Sequence, residues 1–303
     1  MKDDLCALLP SERVFFDASS ADRSAIMAGG QIEAFITVLN MDELKNLFAW
    51  CSERTVDYRF VCNMGKTLVR DAGLDGLAVK LSGDFDYVKM TDSNENEALL
   101  ETGAATSVSK IVGFCAENGL SGIEKLLEIS GSMAGCLFSN VETEGGKLSE
   151  TIEEVTILNK EGKELTLRGK SLRFEEDRFK IPSTACITRV LLRLKKRDKS
   201  EILAEIEKIN TKKSLDDLAG KGVIAKVFTN MEKTKAETLI EDAGLSGIRI
   251  GKARIYPKHT NSIINEGGER AKDIIVLMNL VKDQVKQQTG IVLAPAINII
   301  GKR

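Results

Sequence analysis

The sequence predicts an α+β fold, and three observations carry that reading. A strand-helix-strand unit stands near the start, further strand-like runs follow it, and amphipathic helices gather toward the end. In order, a short N-terminal helix and then Ala28-Gly29-Gly30 precede a strand candidate at 33–38. Asn40 is placed to cap the next helix, with Glu43 three residues on to complete a capping box. Leu44, Leu47, Phe48 and Cys51 follow the i, i+3, i+4, i+7 rule of a buried helical stripe. Residues 58–62 read as a second strand, and Asn63-Met64-Gly65-Lys66-Thr67 as the loop after it. Strand-like runs at 77–81, 87–90 and 98–101 lead to a helix over about 107–118, which Gly119 ends.

The stretch 119–140, GLSGIEKLLEISGSMAGCLFSN, is punctuated by Gly119, Gly122, Gly131 and Gly135. Glycine at that density marks left-handed turns or close backbone approach. The stretch reads either as a tight loop between helices or as a surface where a flat ligand lies against main chain. Beyond it, runs at 155–158 and 165–167 flank Asn159-Lys160-Glu161-Gly162, a hairpin signal. Thr188, Val190, Leu192 and Leu194 alternate with Arg189 and Arg193, so that strand has one wet face. The charged run 195–199 reads as a solvated domain boundary rather than a nucleic-acid site. Helices are expected near 199–209, 234–243 and 269–288, the last burying Ile274, Met278, Val281 and Val285.

With 303 residues the chain has room for two or three domains. A net charge of −2 and a pI of 5.8 leave no electrostatic footprint for nucleic acid. No apolar run approaches the ~20 residues of a membrane span, and the N-terminus lacks a signal-peptide core. A cytoplasmic location is therefore expected. The six cysteines are dispersed without a CxxC pair and only one histidine accompanies them, so no metal site is expected. They read as buried small hydrophobes in a reducing compartment.

The residue order adds more than the composition. GLSG, an apolar helix, then I-S-G-S-M-A-G and Asn140 resemble the flavin-contacting segment of the UDP-N-acetylenolpyruvoylglucosamine reductase (MurB) family. That family typically shows I-P-G-T-V-G-G followed by M-N-A-G. The run at 240–265, IEDAGLSGIRIGKARIYPKHTNSIIN, matches the family's I-E-x-A-G-L-K-G-x-x-I-G-x-A-x-V-S-x-K-H-x-N-F-x-x-N without a gap. The resemblance spans about residues 17–301. It implies an FAD-binding domain of the vanillyl-alcohol-oxidase type in two lobes, at 1–75 and 76–194. It also implies a C-terminal α+β substrate-type domain at 195–303.

In that family NADPH reduces FAD, and the flavin passes hydride to the enolpyruvyl group of a UDP-sugar in peptidoglycan precursor synthesis. The resemblance places cofactor contacts at Gly29, Gly30, Gly65, Lys66, Gly131, Ser132, Gly135 and Asn140. It places substrate contacts at Asn230, Lys258 and Asn261. The K-H-x-N segment with His259 and Asn265 either holds a nucleotide sugar or stabilises the fold. Lys66 either meets a phosphate or is solvated. The family's phosphate cradle, G-G-G-S-N, is here Cys62-Asn63-Met64-Gly65-Lys66, where only Gly65 stays permissive. FAD retention is thereby in doubt, and NADPH enters only if the chain is active.

The family's catalytic arginine, serine and glutamate fall at Glu175, Lys226 and Ala296. A cation ~4 Å from a developing negative charge contributes about 4 kcal/mol at an effective dielectric of ~20. A carboxylate there reverses the sign, a swing of about 8 kcal/mol or nearly six decades in rate. The opposite charges of Glu175 and Lys226 are expected to attract, and Ala296 offers no side-chain hydrogen bond. Two functions follow. The first is an impaired, pseudoenzyme-like relative that binds a nucleotide sugar or a protein partner. The second is a working NADPH- and FAD-dependent reductase.

Overall fold

In a computed structural model, the structure describes residues 2–129, 131–143, 146–175, 178–214, 222–230 and 234–303. The chain opens with helix α1 (Lys2–Leu8), strand β1 (Val14–Ser19) and strand β2 (Gln31–Val38). Helix α2 (Met41–Arg54) follows, and Asn40 caps it by accepting from the Glu43 N–H at 2.9 Å. The expected capping box does not close. The Glu43 carboxylate instead accepts from the Leu39 N–H at 2.8 Å and takes two 2.8 Å bonds from the Arg13 guanidinium. A forked cation outcompetes a single amide for the same two oxygens.

Next come β3 (Tyr58–Val61), β4 (Thr67–Val69), β5 (Leu74–Leu81), β6 (Val88–Ser93) and β7 (Glu97–Gly103). Helix α3 (Val108–Glu117) buries Val108, Ile111, Val112 and Cys115, as its spacing predicts, and Gly119 follows in the left-handed region at φ +67°. The stretch after it makes β8 (Leu120–Ser121), a 3-10 turn at Glu124–Glu128 and the short helix α4 (Met133–Phe138). The α-helix in this stretch thus lies after the Ser132 cap, whereas the apolar run at 124–128 forms only a tighter turn. Strands β9 (Glu142–Thr143) and β10 (Gly146–Lys147) then precede β11 (Ile152–Leu158) and β12 (Glu164–Arg168). The last two pair as the expected hairpin, with Leu158 opposite Glu164. The Asn159 carboxamide accepts from the Lys163 N–H at 2.8 Å and fixes the turn.

The hairpin β13 (Phe174–Glu175) and β14 (Arg178–Phe179) leads to β15 (Cys186–Lys196). Strand β15 is central in a six-stranded antiparallel sheet whose main path is β12-β11-β15-β7-β6, with β8 paired to β15. Val190, Leu192 and Leu194 are buried in the core that α3 shares, while Arg189 and Arg193 face outward, so the alternation set the sheet's two sides. Each such side chain contributes ~1.5–3 kcal/mol on burial. Helix α5 (Lys199–Ser214) comes directly after the charged run.

The remainder comprises β16 (Gly222–Ile224), α6 (Ala236–Asp242), β17 (Arg249–Ile250), β18 (Ala253–Ile255), β19 (Ile263–Asn265), α7 (Ala271–Thr289) and β20 (Asn298–Ile300). A sheet of order β16-β19-β18-β17 shares a core with α7, whose Ile274, Met278, Val281 and Val285 are all buried. Asp71 caps α7, accepting from the N–H groups of Ala271 at 2.6 Å and Lys272 at 3.0 Å. Strand β20 pairs in parallel with β4.

The chain divides into two compact units. One holds 1–14, 36–62 and 78–217; the other holds 15–35, 63–77 and 218–303. Strands β2 and β5 of the four-stranded sheet β1-β2-β5-β3 contribute residues to both. Cys51, Cys115, Cys136 and Cys186 are buried free thiols as expected, but Cys62 is half-buried and Cys6 is exposed. Among the described residues no helix is long and apolar enough to cross a membrane, and no group of His, Cys, Asp and Glu gathers for a metal ion.

Candidate functional site

In the first unit the glycine-rich segment is tied to its own chain. The Gly131 carbonyl accepts from Val108 at 3.0 Å, and Ser107 and Ser132 form an antiparallel bridge. The first amides of α4 are engaged in turn: Met133 with the Thr106 carbonyl at 2.9 Å and Ala134 with the Ala104 carbonyl at 3.0 Å. The Gly135 N–H donates to Ser132 Oγ at 3.4 Å. Ser132 Oγ itself donates to Cys62 Sγ at 3.0 Å. Burial pushes the Cys62 thiol up, while the Ser132 bond opposes that shift. A Cβ on Gly135 would meet Cys62 Sγ at 3.5 Å, ordinary contact, so Cys62 already packs against this helix start. Asn140 is buried, with φ +36°, and its carboxamide accepts from the Ser149 N–H at 3.2 Å. That bond ties Asn140 to the turn before β11.

In the second unit the glycine pair packs on backbone. A Cβ on Gly30 would lie 2.5 Å from the Arg70 carbonyl and 2.6 Å from that of Asp71. Gly29 takes φ +130°, and a Cβ there would sit 2.9 Å from the Val69 carbonyl. Their N–H groups donate to Glu269 at 2.8 Å and Val69 at 3.4 Å. Both glycines are demanded by this chain's own fold. In the loop after β3, Met64 takes φ +51° with its side chain buried, at a position where the resembled family carries glycine. The Gly65 N–H turns to Asn63 Oδ1 at 3.3 Å, and the Lys66 carbonyl accepts from Asn298 at 2.8 Å.

The substrate-type positions behave alike. Asn261 is buried, and its carboxamide both donates to and accepts from the Phe228 backbone at 2.9 Å. Asn265 donates to the carbonyls of Ile26 and Met27 at 3.0 Å and of Gly268 at 2.6 Å, and accepts from the Gly268 N–H. Asn230 is exposed and accepts from the first amide of α6 at 3.0 Å. Lys258 and His259 are exposed, and His259 Nδ1 lies 3.6 Å from a Glu237 carboxylate oxygen. Both asparagines of the K-H-x-N segment thus bond to the chain's own backbone.

Two of the three catalytic-type positions come together. Val227, next to Lys226, accepts from the Ala296 N–H at 2.8 Å and donates to the Asn261 carbonyl at 2.8 Å. Lys226 takes φ +52° with its side chain exposed. Glu175 lies in the other unit, exposed, with Lys180 as its ion partner at 3.3 Å across the β13–β14 hairpin.

Residue patterning did not disclose a polar hub on the outer face of the six-stranded sheet. Glu101, 13% exposed, accepts from Tyr87 Oη at 2.8 Å and pairs with Lys89 at 3.0 Å and Arg189 at 3.4 Å. Burial opposes ionisation of Glu101, but Lys89, Tyr87 and Arg189 hold its carboxyl below the usual range. Arg189 also reaches Thr156 Oγ1 at 3.2 Å. The wet-face alternation was the available signal, yet it names only one strand of the four that meet there.

A family model described as the C-terminal domain of UDP-N-acetylenolpyruvoylglucosamine reductase matches residues 218–300. The enzyme of that name from Rickettsia prowazekii is 29% identical over 90% of this chain and 91% of its own. That from Geobacter metallireducens is 28% identical over the full length of both. The solved structure of the Thermus caldophilus reductase superposes with a TM-score of 0.78 at 27% identity, covering 95% of this chain and 98% of that one.

Proposed function

We propose, on the premise that this chain is a divergent relative of the UDP-N-acetylenolpyruvoylglucosamine reductases, that it is a non-catalytic member of that lineage. It keeps the two-lobed flavin frame at 1–75 and 76–194 and the substrate-type domain at 195–303 as a scaffold that binds a nucleotide sugar or a protein partner. The observation that carries this reading is the set Glu175, Lys226 and Ala296 at the three catalytic-type positions. Glu175 presents negative charge where the reaction builds more of it, and Ala296 has only a backbone amide already bonded to Val227. Neither stabilises an enolate.

A flavin pyrophosphate fits these residues poorly. Amides at Gly29, Gly30, Gly65, Met133, Ala134 and Gly135 are engaged by the chain itself, and Met64 replaces a permissive glycine. Phosphate recognition by converging backbone N–H groups needs those donors. Lys258, exposed on the turn after β18, is the residue of the substrate set best able to meet a nucleotide phosphate.

The second reading, a working NADPH- and FAD-dependent reductase, is favoured by one observation: full-length alignment with enzymes of that name. Purified protein decides between them. Under the first reading it is colourless, does not quench FAD fluorescence on titration, and leaves NADPH unconsumed with the enolpyruvyl UDP-sugar. A yellow preparation that consumes NADPH with that substrate establishes the second.

A further inference from the structure

The main path of the six-stranded sheet ends in two edge strands of different kinds. Strand β6 meets β7 through a bulge between Met90 and Asp92, which bends that edge away from further pairing. Strand β12 runs against β11 in unbroken register, from Glu154 opposite Arg168 to Leu158 opposite Glu164. Among the described residues no strand pairs with its other side. Bonded and non-bonded pairs alternate along an antiparallel ladder. The Asn159 N–H donates to the Lys163 carbonyl at 3.0 Å, so Leu165 and Leu167 bond toward β11. The backbone groups of Glu164, Thr166 and Arg168 therefore point away from it. Ser171 takes up the last of these: its Oγ accepts from the Arg168 N–H and donates to the Arg168 carbonyl, both at 2.7 Å.

We propose that Ser171 is an edge cap, and that the partner it holds off is β12 of a second copy of this chain. Residues 164–168, Glu-Leu-Thr-Leu-Arg, are complementary to themselves under a two-fold rotation about Thr166. Antiparallel pairing of two copies sets Glu164 opposite Arg168, Leu165 opposite Leu167, and Thr166 opposite its own counterpart. The outward backbone groups then fall in the bonded pairs of the new ladder. Faces match as well. Thr166 Oγ1 lies 3.5 Å from Thr156 Oγ1 and Arg168 lies 2.6 Å from Glu154, on one side of the sheet. On the other side Leu167 packs at the margin of the core, and Leu165, 37% exposed, gains a leucine neighbour. Glu164 is 3.8 Å from Lys45, an exposed pair of little worth that yields readily to an arginine. With Ser171 in place the Arg168 amide is spent within its own chain, and the two outer pairs of the ladder cannot close. The edge is self-matching in sequence and stopped by one hydroxyl, whether or not the chain turns over substrate.

Sedimentation equilibrium of the full chain and of Ser171→Ala, over a series of protein concentrations, tests it. The unaltered chain is expected at its monomer mass of 33.1 kDa throughout, while Ser171→Ala moves toward twice that mass as concentration rises. Adding Thr166→Pro removes an outward N–H at a kind of position where edge strands tolerate proline, and should return the monomer. A Ser171→Ala chain that stays monomeric, an unaltered chain that associates as readily, or a dimer that survives Thr166→Pro overturns the proposal. If the proline variant fails to fold, Thr166→Cys with Ser171→Ala, in a Cys6→Ser background, decides by oxidative cross-linking. Facing Cα atoms about 5.5 Å apart lie within disulfide reach. A cross-linked dimer that requires Ser171→Ala supports the cap, and its absence overturns it.

Discussion

The carboxamide of Asn261 and the backbone of Phe228 exchange two hydrogen bonds of 2.9 Å each, N–H to Oδ1 and Nδ2 to carbonyl. The side chain mimics one rung of a β-ladder and satisfies a buried segment 33 residues away in sequence. Replacing it removes both partners at once. Asn261→Ala is expected to cost about 2–4 kcal/mol, because the Phe228 N–H and carbonyl are left buried and unpaired. Asn261→Asp keeps an acceptor for the N–H but faces the carbonyl with negative charge, so it too destabilises. Urea melts of both variants check this; stability unchanged in Asn261→Ala would contradict the ladder role.

Met64 poses a contest of magnitudes. Its φ of +51° costs ~1–2 kcal/mol relative to an ordinary backbone, while its buried side chain contributes roughly 2–3 kcal/mol. Met64→Gly should therefore lower stability by about 1 kcal/mol despite relieving strain. It should not create FAD binding, since the α4 amides stay engaged. Gly29→Ala meets the Val69 carbonyl and a φ of +130° together, and is expected to prevent folding or lower Tm steeply. Melting curves and FAD fluorescence titration measure both variants.

The Arg13–Glu43 fork sets an acid limit. The Arg13 hydrogen bonds, against a smaller opposing effect of burial, hold the Glu43 carboxyl below its usual value. A depressed carboxyl stabilises above its unfolded pKa, and that contribution disappears as pH falls through the folded pKa. Glu43→Gln should cost about 1–2 kcal/mol at pH ~7 and little at pH ~2, where both forms are neutral. Denaturant titrations at the two pH values check the narrowing.

Charge restoration tests the functional reading. The triple variant Glu175→Arg, Lys226→Ser, Ala296→Glu reinstates the family's side chains. It is expected to leave NADPH consumption with the enolpyruvyl UDP-sugar at background, because the flavin-phosphate donors remain engaged. Turnover in the triple variant would show that only the three side chains had been lost. Turnover already present in the unaltered chain would remove the proposed function outright.

Local signals carried much of the fold. The period of 3.6 in α7 and the alternation in β15 depend on neighbours a few residues apart, and the structure keeps both faces as spaced. The Asn159–Gly162 hairpin and the Asn40 cap are likewise encoded within a handful of residues. The site was legible only as a set of substitutions, since Glu175, Lys226 and Ala296 can be named from the order of residues alone.

The sequence by itself determined element types, faces and changed chemistry, because those follow from side-chain identity at short spacing. The tertiary structure alone decided which partners the polar groups took. Glu43 was drawn from its own cap to Arg13, 30 residues off, and Asn265 was drawn to Ile26, 239 residues off. A buried donor or acceptor accepts whichever partner the packed chain brings within about 3 Å. That choice is made by folding, and no run of neighbouring residues records it.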